Sequence, residues 1–438
     1  MGRSGTLREN MRKACLGILY RPGAKRLRMS VLQEKYKGGT TMTGSIKAKT
    51  KLRLREMLDE AIAQGVTAGV SLGIWQDGEE LFFTAQGYAD QEAKRPMERN
   101  TIHRLYSMSK PVTATAAVIL MEEGRLDPAQ PVSDFLPGFA HLTVEKDGVI
   151  VPVDETMTVF QLLNMTSGLT YGDDVTVAGR MTTDYIEECV RRLHTDEAVS
   201  TVELANHLGT LPLSFVPGTS WQYGLSADVL GAVIEVASGM RFGDFLESRI
   251  FRPLGMQDTG FYVPGEKQGR LACAYEQTET ATMKRYTGDN LAISNAMASN
   301  PAFESGGAGL VSTLDDYARF GKMLQNGGAL NGVRVLSRAG VHFLTTGGLT
   351  HRQNQELWRI FGLQGFTYSN LMRIADRPQM SCMLSGDGEY GWDGWLGCYF
   401  ANLPKEKITI VLMQQRKDSG TIPLTRKLRN VALADLLG

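Results

Sequence analysis

The chain has 438 residues, of which 42% are hydrophobic and 21% are charged, an ordinary globular balance with enough length for a sizeable core. No apolar run approaches the roughly 20 residues that span a bilayer, so we expect a soluble protein without a membrane span. The 47 basic and 47 acidic residues cancel.

Cysteine and histidine usage argues against a disulfide framework and against a metal site. The five cysteines are odd in number and form no C-x-x-C pair, which fits a reducing, cytoplasmic setting. The six histidines show no metal-ligand spacing, so we expect neither a metal nor a cofactor.

Positive charge is concentrated at the start of the chain, where residues 1–55 hold 15 Lys and Arg against two acidic residues. We predict that residues 1–45 form a basic tail that is disordered or not native, with Met42 as an alternative start. The apolar stretch 14–20 is short for an export signal and has no cleavage site after it, whereas an organelle-targeting peptide stays open. Because the excess of basic residues lies in this tail, we expect no nucleic-acid-binding face on the folded domain. Nucleic-acid binding by the tail itself stays an alternative.

The first predicted elements are a helix and a hairpin. Residues 51–64 carry an apolar stripe near the helical period, and Gly65 ends it. Residues 70–75 and 81–86 are apolar runs separated by a turn with Asp77-Gly78, which predicts a β-hairpin.

The middle of the chain is typical of helices and loops. A long apolar helix starts at Ser107 and ends near Gly124, and a further helix begins at Ser312-Thr313, with acidic residues in its first turn. Between them, Pro and Gly breaks separate helical stretches at 158–165, 225–238 and 242–250.

The end of the chain returns to strands at 395–402 and 408–413, followed by a last helix at 421–437. With strands near both ends, we predict an α+β fold: an antiparallel sheet flanked by N- and C-terminal helices, with an inserted, mostly helical region. The predicted domain is 46–438, with the α/β part at about 46–106 and 290–438, and the helical part at about 107–289.

The strongest chemical signal is Ser107 followed by Lys110. On a helix, residues i and i+3 share a face, so the hydroxyl and the amine can meet. A serine hydroxyl needs a base to become a nucleophile, and a lysine of lowered pKa can take its proton. Free N–H groups at the start of the helix can stabilise an oxyanion.

A four-residue S-x-x-K pattern also occurs by chance, so its context matters. Here it begins an apolar helix that would bury Lys110, a position with no role for an ordinary surface lysine. Ser109 has Val112 three residues later and is rejected as a nucleophile. The chain has no G-x-S-x-G elbow, which argues against an α/β-hydrolase.

Around this pair the sequence resembles the β-lactamase-related serine hydrolases, over roughly residues 50–435. That family includes class C β-lactamases, D-alanyl-D-alanine peptidases, family VIII carboxylesterases and some acyltransferases. Besides Ser107-Met-Ser-Lys110, the matching blocks are Gln161-Leu-Leu-Asn-Met165-Thr-Ser-Gly168-Leu with Met165 in place of the usual His, Pro217-Gly218 to Gly231 including Tyr223 and Asp228, Phe251 to Met256, and Ser305 to Thr313.

The resemblance implies a β-lactamase/transpeptidase-like fold and a third catalytic residue, Tyr223. Its phenolate or hydroxyl, held near Lys110, would shuttle the proton of Ser107. A nearby ammonium would favour the phenolate and lower the pKa of Tyr223.

The family's third motif, Lys-Thr-Gly, is replaced here by Trp392-Asp393-Gly394, in which Trp392 resembles the carboxylesterase branch and Asp393 is unusual. The resemblance makes these three residues the substrate-binding strand, and the N–H groups of Ser107 and Trp395 the oxyanion hole. Strand alternation predicts that Asp393 faces away from Trp392. A tryptophan offers apolar area in place of the charge that would hold a substrate carboxylate, which favours neutral or apolar acyl groups.

The function predicted on these grounds is hydrolysis of small-molecule ester or amide substrates, foremost esters, through an acyl-enzyme on Ser107. Alternatives are a β-lactamase or D-alanyl peptidase, an acyltransferase, and a non-catalytic scaffold of the same fold. The sequence leaves the oligomeric state open.

Overall fold

The computed structural model describes residues 45–280 and 282–438. Apart from Ser45, the predicted tail at 1–45 lies outside the described residues, so the division into a tail and a domain stays a prediction. None of the helices in the described ranges is long and apolar enough to cross a membrane.

The helices of the described residues are distributed along the whole chain, and a 3₁₀ turn at Tyr106–Ser109 directly precedes the second of them. They are α1 Ala48–Ala63, α2 Lys110–Glu122, α3 Val159–Leu163, α4 Val177–Arg192, α5 Thr201–Leu208, α6 Ser226–Ser238, α7 Phe242–Leu246, α8 Arg252–Leu254, α9 Leu314–Gln325, α10 Arg338–Thr345, α11 His351–Phe361 and α12 Pro423–Leu436.

Within the part of the chain that the structure describes, the strands form one large sheet and four two-stranded pairs. They are β1 Gly69–Gln76, β2 Glu79–Asp90, β3 Arg95–Pro96, β4 His103–Arg104, β5 Thr143–Lys146, β6 Val149–Pro152, β7 Ala274–Gln277, β8 Met283–Tyr286, β9 Val311–Ser312, β10 Ala329–Leu330, β11 Val333–Arg334, β12 Phe366–Ser369, β13 Met372–Ala375, β14 Tyr390–Asp393, β15 Tyr399–Leu403 and β16 Ile408–Gln414. The large sheet is antiparallel, in the order β12-β13-β14-β15-β16-β1-β2-β3.

The predicted hairpin at the start of the chain is confirmed. Asp77 and Gly78 have φ values of 54° and 85°, the left-handed pair that a tight two-residue turn requires. The resulting strand β1 lies in the middle of the sheet and pairs with β16, with Leu72 opposite Leu412. The first and last strands of the described residues therefore pair within the sheet.

The sheet has a helical layer on each face. Leu54 of α1 and Leu428 of α12 pack with Leu72 and Ile410 on one face, while Val411 faces the larger core built with α2, α6 and α9. Each buried leucine contributes roughly 1.5–3 kcal/mol by leaving water. The α+β fold, with terminal helices flanking an antiparallel sheet, is confirmed.

One sequence prediction was wrong in detail. The strand predicted at 395–402 begins only at Tyr399, because residues 394–397 form a turn closed by Gly397 N–H and the Gly394 carbonyl, 2.7 Å apart. The region 107–289 was predicted to be mostly helical, and besides its helices it contains two short hairpins that the sequence did not indicate, β5–β6 and β7–β8. These strands have four residues each and lie outside the large sheet, so their apolar patterns are too short to be distinctive.

Candidate active site

Ser107 lies in the 3₁₀ turn, at the point where the chain enters α2. The residue before it, Tyr106, is buried and has a φ of 47°, a left-handed conformation that is strained for an aromatic residue. Its ring packs against Trp395, with centroids 4.9 Å apart. Backbone strain next to Ser107 is therefore held in place by packing, as is common at functional sites.

Lys110, the first residue of α2, is completely buried, with 0% of its surface exposed. Its Nζ donates to Ser107 Oγ at 3.0 Å, to the Tyr171 hydroxyl at 2.9 Å and to the Gly307 carbonyl at 2.8 Å. The structure thus brings together the hydroxyl and the amine that the S-x-x-K spacing placed on one face.

The burial of Lys110 sets its charge. Loss of hydration lowers the pKa of Lys110 to about 7, and the carboxylates of Asp228 and Asp393 oppose this shift. A neutral amine keeps two hydrogens, enough for Tyr171 and Gly307. Its lone pair is then free for the proton of Ser107, which is the geometry of a general base.

Tyr223 lies beside the pair, with Lys110 Nζ over its ring at 4.7 Å from the centroid. Its hydroxyl accepts a hydrogen bond from Trp392 Nε1 at 2.7 Å. The prediction of a lowered pKa was wrong: burial raises the pKa of Tyr223 well above its ordinary value, and the hydrogen bonds with Ser107 and Trp392 only partly oppose it. Tyr223 is therefore a neutral hydroxyl that can donate a proton, and not a standing phenolate.

Tyr171 is a site residue that sequence reasoning missed. Its hydroxyl accepts from Lys110, and its ring packs on Tyr223 with centroids 5.6 Å apart. Burial raises the pKa of Tyr171, so it too is a neutral hydroxyl. It follows the block that ends at Gly168 and Leu169, but a lone tyrosine in a loop carries no chemical signal by itself.

Asp228 was also missed as a site residue, although it belongs to a quoted block. Its buried carboxylate accepts from the Ser305 hydroxyl and from the N–H of Gly307, the latter at 3.1 Å. Because the carbonyl of Gly307 holds Lys110, Asp228 positions the lysine through the backbone while its charge favours the ammonium form.

Gly394 allows the turn after β14 to lie against the residues that precede Ser107. A Cβ at this position would overlap the carbonyl oxygen of Leu105, so only glycine allows the turn to lie against the chain that leads to Ser107. The close approach puts Trp395 and Ser107 on the wall of one cavity. Their N–H groups are the candidates for the oxyanion hole.

Asp393 lines the same cavity as Trp392, although alternation predicted opposite faces, because β14 ends at Asp393 and the chain turns there. Its carboxylate accepts from the Thr421 hydroxyl. Burial raises the pKa of Asp393, while the charge of Arg373 and the Thr421 hydrogen bond oppose the rise.

The cavity has a volume of about 550 Å³, and aromatic and aliphatic side chains dominate its walls. Ser107, Tyr171 and Tyr223 are among the residues that line it. The other lining side chains include Tyr106, Leu291, Ile360, Phe361, Leu363, Trp392 and Trp395. A cavity of this size and character suits a small organic molecule with an apolar part.

Comparison with known proteins agrees with this geometry. The profile of the family described as Beta-lactamase matches residues 54–434, so the chain belongs to the beta-lactamase family. With this fold, it is a hydrolase of the β-lactamase type.

Among individual relatives, Protein Rv1367c of Mycobacterium tuberculosis is 32% identical over 401 residues, covering 87% of this chain and 94% of the relative. Esterase EstB of Burkholderia gladioli is 29% identical over 405 residues, covering 88% and 96%. In the solved structure of EstCE1, titled a hydrolase with promiscuous acyltransferase activity, the TM-score is 0.72 at 24% identity, with 89% of this chain and 98% of that chain covered. That likeness concerns the fold.

Proposed function

We propose that the protein is a serine esterase in which Ser107 carries the acyl group of a small ester. The observation that carries this proposal is the 3.0 Å contact between Lys110 Nζ and Ser107 Oγ, with the lysine fully buried and its pKa near 7. This is the arrangement of a nucleophile with its activating base.

The proposed reaction has two halves. Ser107 Oγ attacks the ester carbonyl as its proton passes to Lys110, and the N–H groups of Ser107 and Trp395 hold the oxyanion. The departing alcohol oxygen receives that proton through Lys110 or one of the tyrosine hydroxyls. Water then attacks the acyl-enzyme as its proton passes to Lys110, and Lys110 returns that proton to Ser107 Oγ as the bond to the acyl carbon breaks and the carboxylic acid departs.

The substrate preference follows from the cavity walls. Trp392 stands where the resemblance to β-lactamases leads one to expect a lysine, and the carboxylate of Asp393 lies beside it. A substrate carboxylate beside Trp392 would meet an apolar ring and a second acidic group, and the cation that does line the cavity, Arg373, already has its charge opposed by Asp393. Neutral or apolar acyl groups are therefore favoured over penicillins and peptide stems, in keeping with the name of the relative EstB.

A substrate panel tests this proposal. We expect the wild type to hydrolyse nitrophenyl esters of varied acyl length with higher kcat/KM than a chromogenic cephalosporin, and Ser107→Ala to lose both activities. Ser109→Ala, which leaves the proposed nucleophile intact, is the matched control. Faster turnover of the cephalosporin than of every ester would reject the ester preference, and full activity of Ser107→Ala would reject the mechanism.

A further inference from the structure

Two adjacent glutamines, Gln414 and Gln415, lie where β16 ends. Both are buried, with 0% and 5% of their surface exposed. The described residues that line the cavity of Ser107 include neither of them. A buried primary amide has lost its hydration and depends on hydrogen bonds within the protein, so the partners of these side chains show what each amide holds in place.

Gln415 holds the segment that leads to the nucleophile. Its Oε1 accepts from the backbone N–H of Arg104 at 3.1 Å, and its Nε2 donates to the carbonyl of the same residue at 3.0 Å. One side chain thus makes the pair of hydrogen bonds that a neighbouring antiparallel strand would make. Arg104 is the last residue of β4, and only Leu105 and the strained Tyr106 separate it from Ser107. The position of the Ser107 N–H therefore depends on this amide.

Gln414 holds the turn at 394–397, which carries the other candidate donor of the oxyanion hole. Its Nε2 donates to the carbonyl of Gly397 at 3.1 Å. A Cβ on Gly397 would overlap that nitrogen, so the turn can approach Gln414 only because a glycine stands there. The chain after the glutamines holds the same turn, since the N–H of Ser419 donates to the Trp395 carbonyl at 3.0 Å. The position of the Trp395 N–H is thus fixed from the end of β16.

The two donors of the proposed oxyanion hole therefore depend on consecutive residues at one strand end. The contact of Gly394 with the Leu105 carbonyl limits how closely the two segments can approach, and the two glutamines keep them from moving apart. Both N–H groups must come within about 2.7–3.1 Å of the same oxygen to stabilise its charge. A displacement of about 1 Å can lower a rate about 10²-fold, so a small shift of either segment would be costly.

We propose that Gln414 and Gln415 are positioning residues that align the N–H groups of Trp395 and Ser107 on one substrate oxygen. The proposal rests on the esterase function proposed above, because an oxyanion forms only when Ser107 attacks a carbonyl. Misaligned donors should therefore weaken the binding of the transition state and leave the binding of an unreacted ligand unchanged.

Substitution by methionine, which has a similar length and cannot form these hydrogen bonds, tests the proposal in Gln414→Met and Gln415→Met. Gln325→Met is the matched control, because Gln325 Nε2 donates to the Leu403 carbonyl of the large sheet at 2.9 Å and does not line the cavity. In both Gln325 and Gln414, Oε1 has no partner among the described residues. Rates with nitrophenyl butanoate are divided by the number of sites titrated with a fluorophosphonate, so a partly folded variant is compared per competent site.

Two ketones separate the transition state from the ground state. Ser107 Oγ adds to the carbonyl carbon of 1,1,1-trifluorooctan-2-one as its proton passes to Lys110, and the negative charge stays on the former carbonyl oxygen. Octan-2-one is the unreacted match. We expect each glutamine variant to lower kcat/KM about 10-fold or more and to weaken the trifluoromethyl ketone by the same factor, with the inhibition constant of octan-2-one within about twofold of the wild type. Gln325→Met should match the wild type in all three quantities.

An unchanged kcat/KM per competent site in either variant would overturn the assignment of that glutamine. A reduced kcat/KM with undiminished binding of the trifluoromethyl ketone would place the defect outside the oxyanion hole, which also overturns the proposal. If Gln415→Met yields no titratable sites, Gln415→Glu replaces it with the same expectation, because it keeps the acceptor for the Arg104 N–H and loses the donor to the Arg104 carbonyl.

The failure of this proposal differs from the failure of the function it rests on. If the glutamines have no effect, ester hydrolysis that Ser107→Ala abolishes would still support the esterase function. Full activity in Ser107→Ala would remove the esterase function, and the alignment proposal with it.

Discussion

At the scale of single residues, the charge of Lys110 is the property on which the proposed mechanism depends. Burial lowers the pKa of Lys110 to about 7, and only the neutral amine can accept the proton of Ser107. We expect kcat/KM for a nitrophenyl ester to rise with pH and to level off above about 7. A profile that falls across this range would contradict the assignment of Lys110 as the base.

Asp228 offers a second test of Lys110 as the base, because its carboxylate acts on the pKa of Lys110. Its negative charge raises the pKa of Lys110, so removing the charge should move the rising limb of the pH profile to lower pH. Asp228→Asn keeps an acceptor for Ser305 and Gly307 and changes mainly the charge. Asp184→Asn, at an exposed position on α4, is the control, and a shift of Asp228→Asn to higher pH would be the opposite of the expected result.

Tyr171 is predicted to take part in proton transfer together with Lys110. Tyr171→Phe removes the hydroxyl that accepts from Nζ, and we expect kcat to fall on the order of 10²-fold while the melting temperature changes little. Tyr185→Phe, whose ring stacks on His207 away from Ser107, is the matched control. Wild-type kcat in Tyr171→Phe would remove this residue from the proposed machinery.

At the scale of elements, a buried ion pair attaches α12 to the sheet. Arg429 of α12 contacts Glu389 through both nitrogens at 2.6 Å, and the two side chains are 1% and 0% exposed. Burial alone would raise the pKa of Glu389, but the charge and hydrogen bonds of Arg429 outweigh burial and lower it. The pair lies just before β14, which carries Trp392 and Asp393.

Breaking the ion pair between Arg429 and Glu389 should destabilise the folded protein without removing any group of the proposed mechanism. Removing one partner leaves a buried unpaired charge, so we expect Arg429→Met to lower the free energy of unfolding by about 3–5 kcal/mol in urea titration. Lys427→Met, at an exposed position of the same helix, should change it little. Equal stability of the two variants would show that the pair does not hold α12 in place.

Sequence patterns predicted some elements well and others not, for physical reasons. The hairpin at Asp77-Gly78 and the amphipathic helix α1 could be predicted from local sequence. A tight turn and a helix with one buried face each require a recognisable pattern of residue types within a short stretch of the chain. The turn at 394–397 was predicted to be part of a strand, since no charged side chain interrupts the largely apolar sequence from Trp395 to Ala401. What breaks the strand is a contact with Leu105, almost 300 residues earlier in the chain.

At the scale of the whole molecule, the site joins three distant parts of the chain. Ser107 and Lys110 come from the start of α2, Tyr171 and Tyr223 from the helical region, and Trp392 from the sheet. The ordered motif blocks pointed to four of these five residues. Tyr171, and the support of Lys110 by Asp228, depend on tertiary contacts that leave no spacing to recognise.

The residues described for the site all have numbers between 104 and 421, so none of them belongs to the basic segment 1–41. We therefore expect removal of residues 1–41 to leave kcat/KM for nitrophenyl esters within about twofold of the full chain, because no group of the mechanism is lost. Parallel assays of the two proteins, normalised by active-site titration, provide the measurement. A large loss of activity would mean that the basic segment contributes to the site.

The central claim is that Ser107 becomes acylated during turnover. The most direct test is to mix the protein with a nitrophenyl ester, quench it in acid within the first turnovers, and identify the modified peptide by mass spectrometry. The account predicts an added acyl group on Ser107 in the wild type and none on the corresponding peptide of Ser107→Ala. Rapid ester hydrolysis with the acyl group on another residue, or with no acyl-enzyme and full activity in Ser107→Ala, would contradict it.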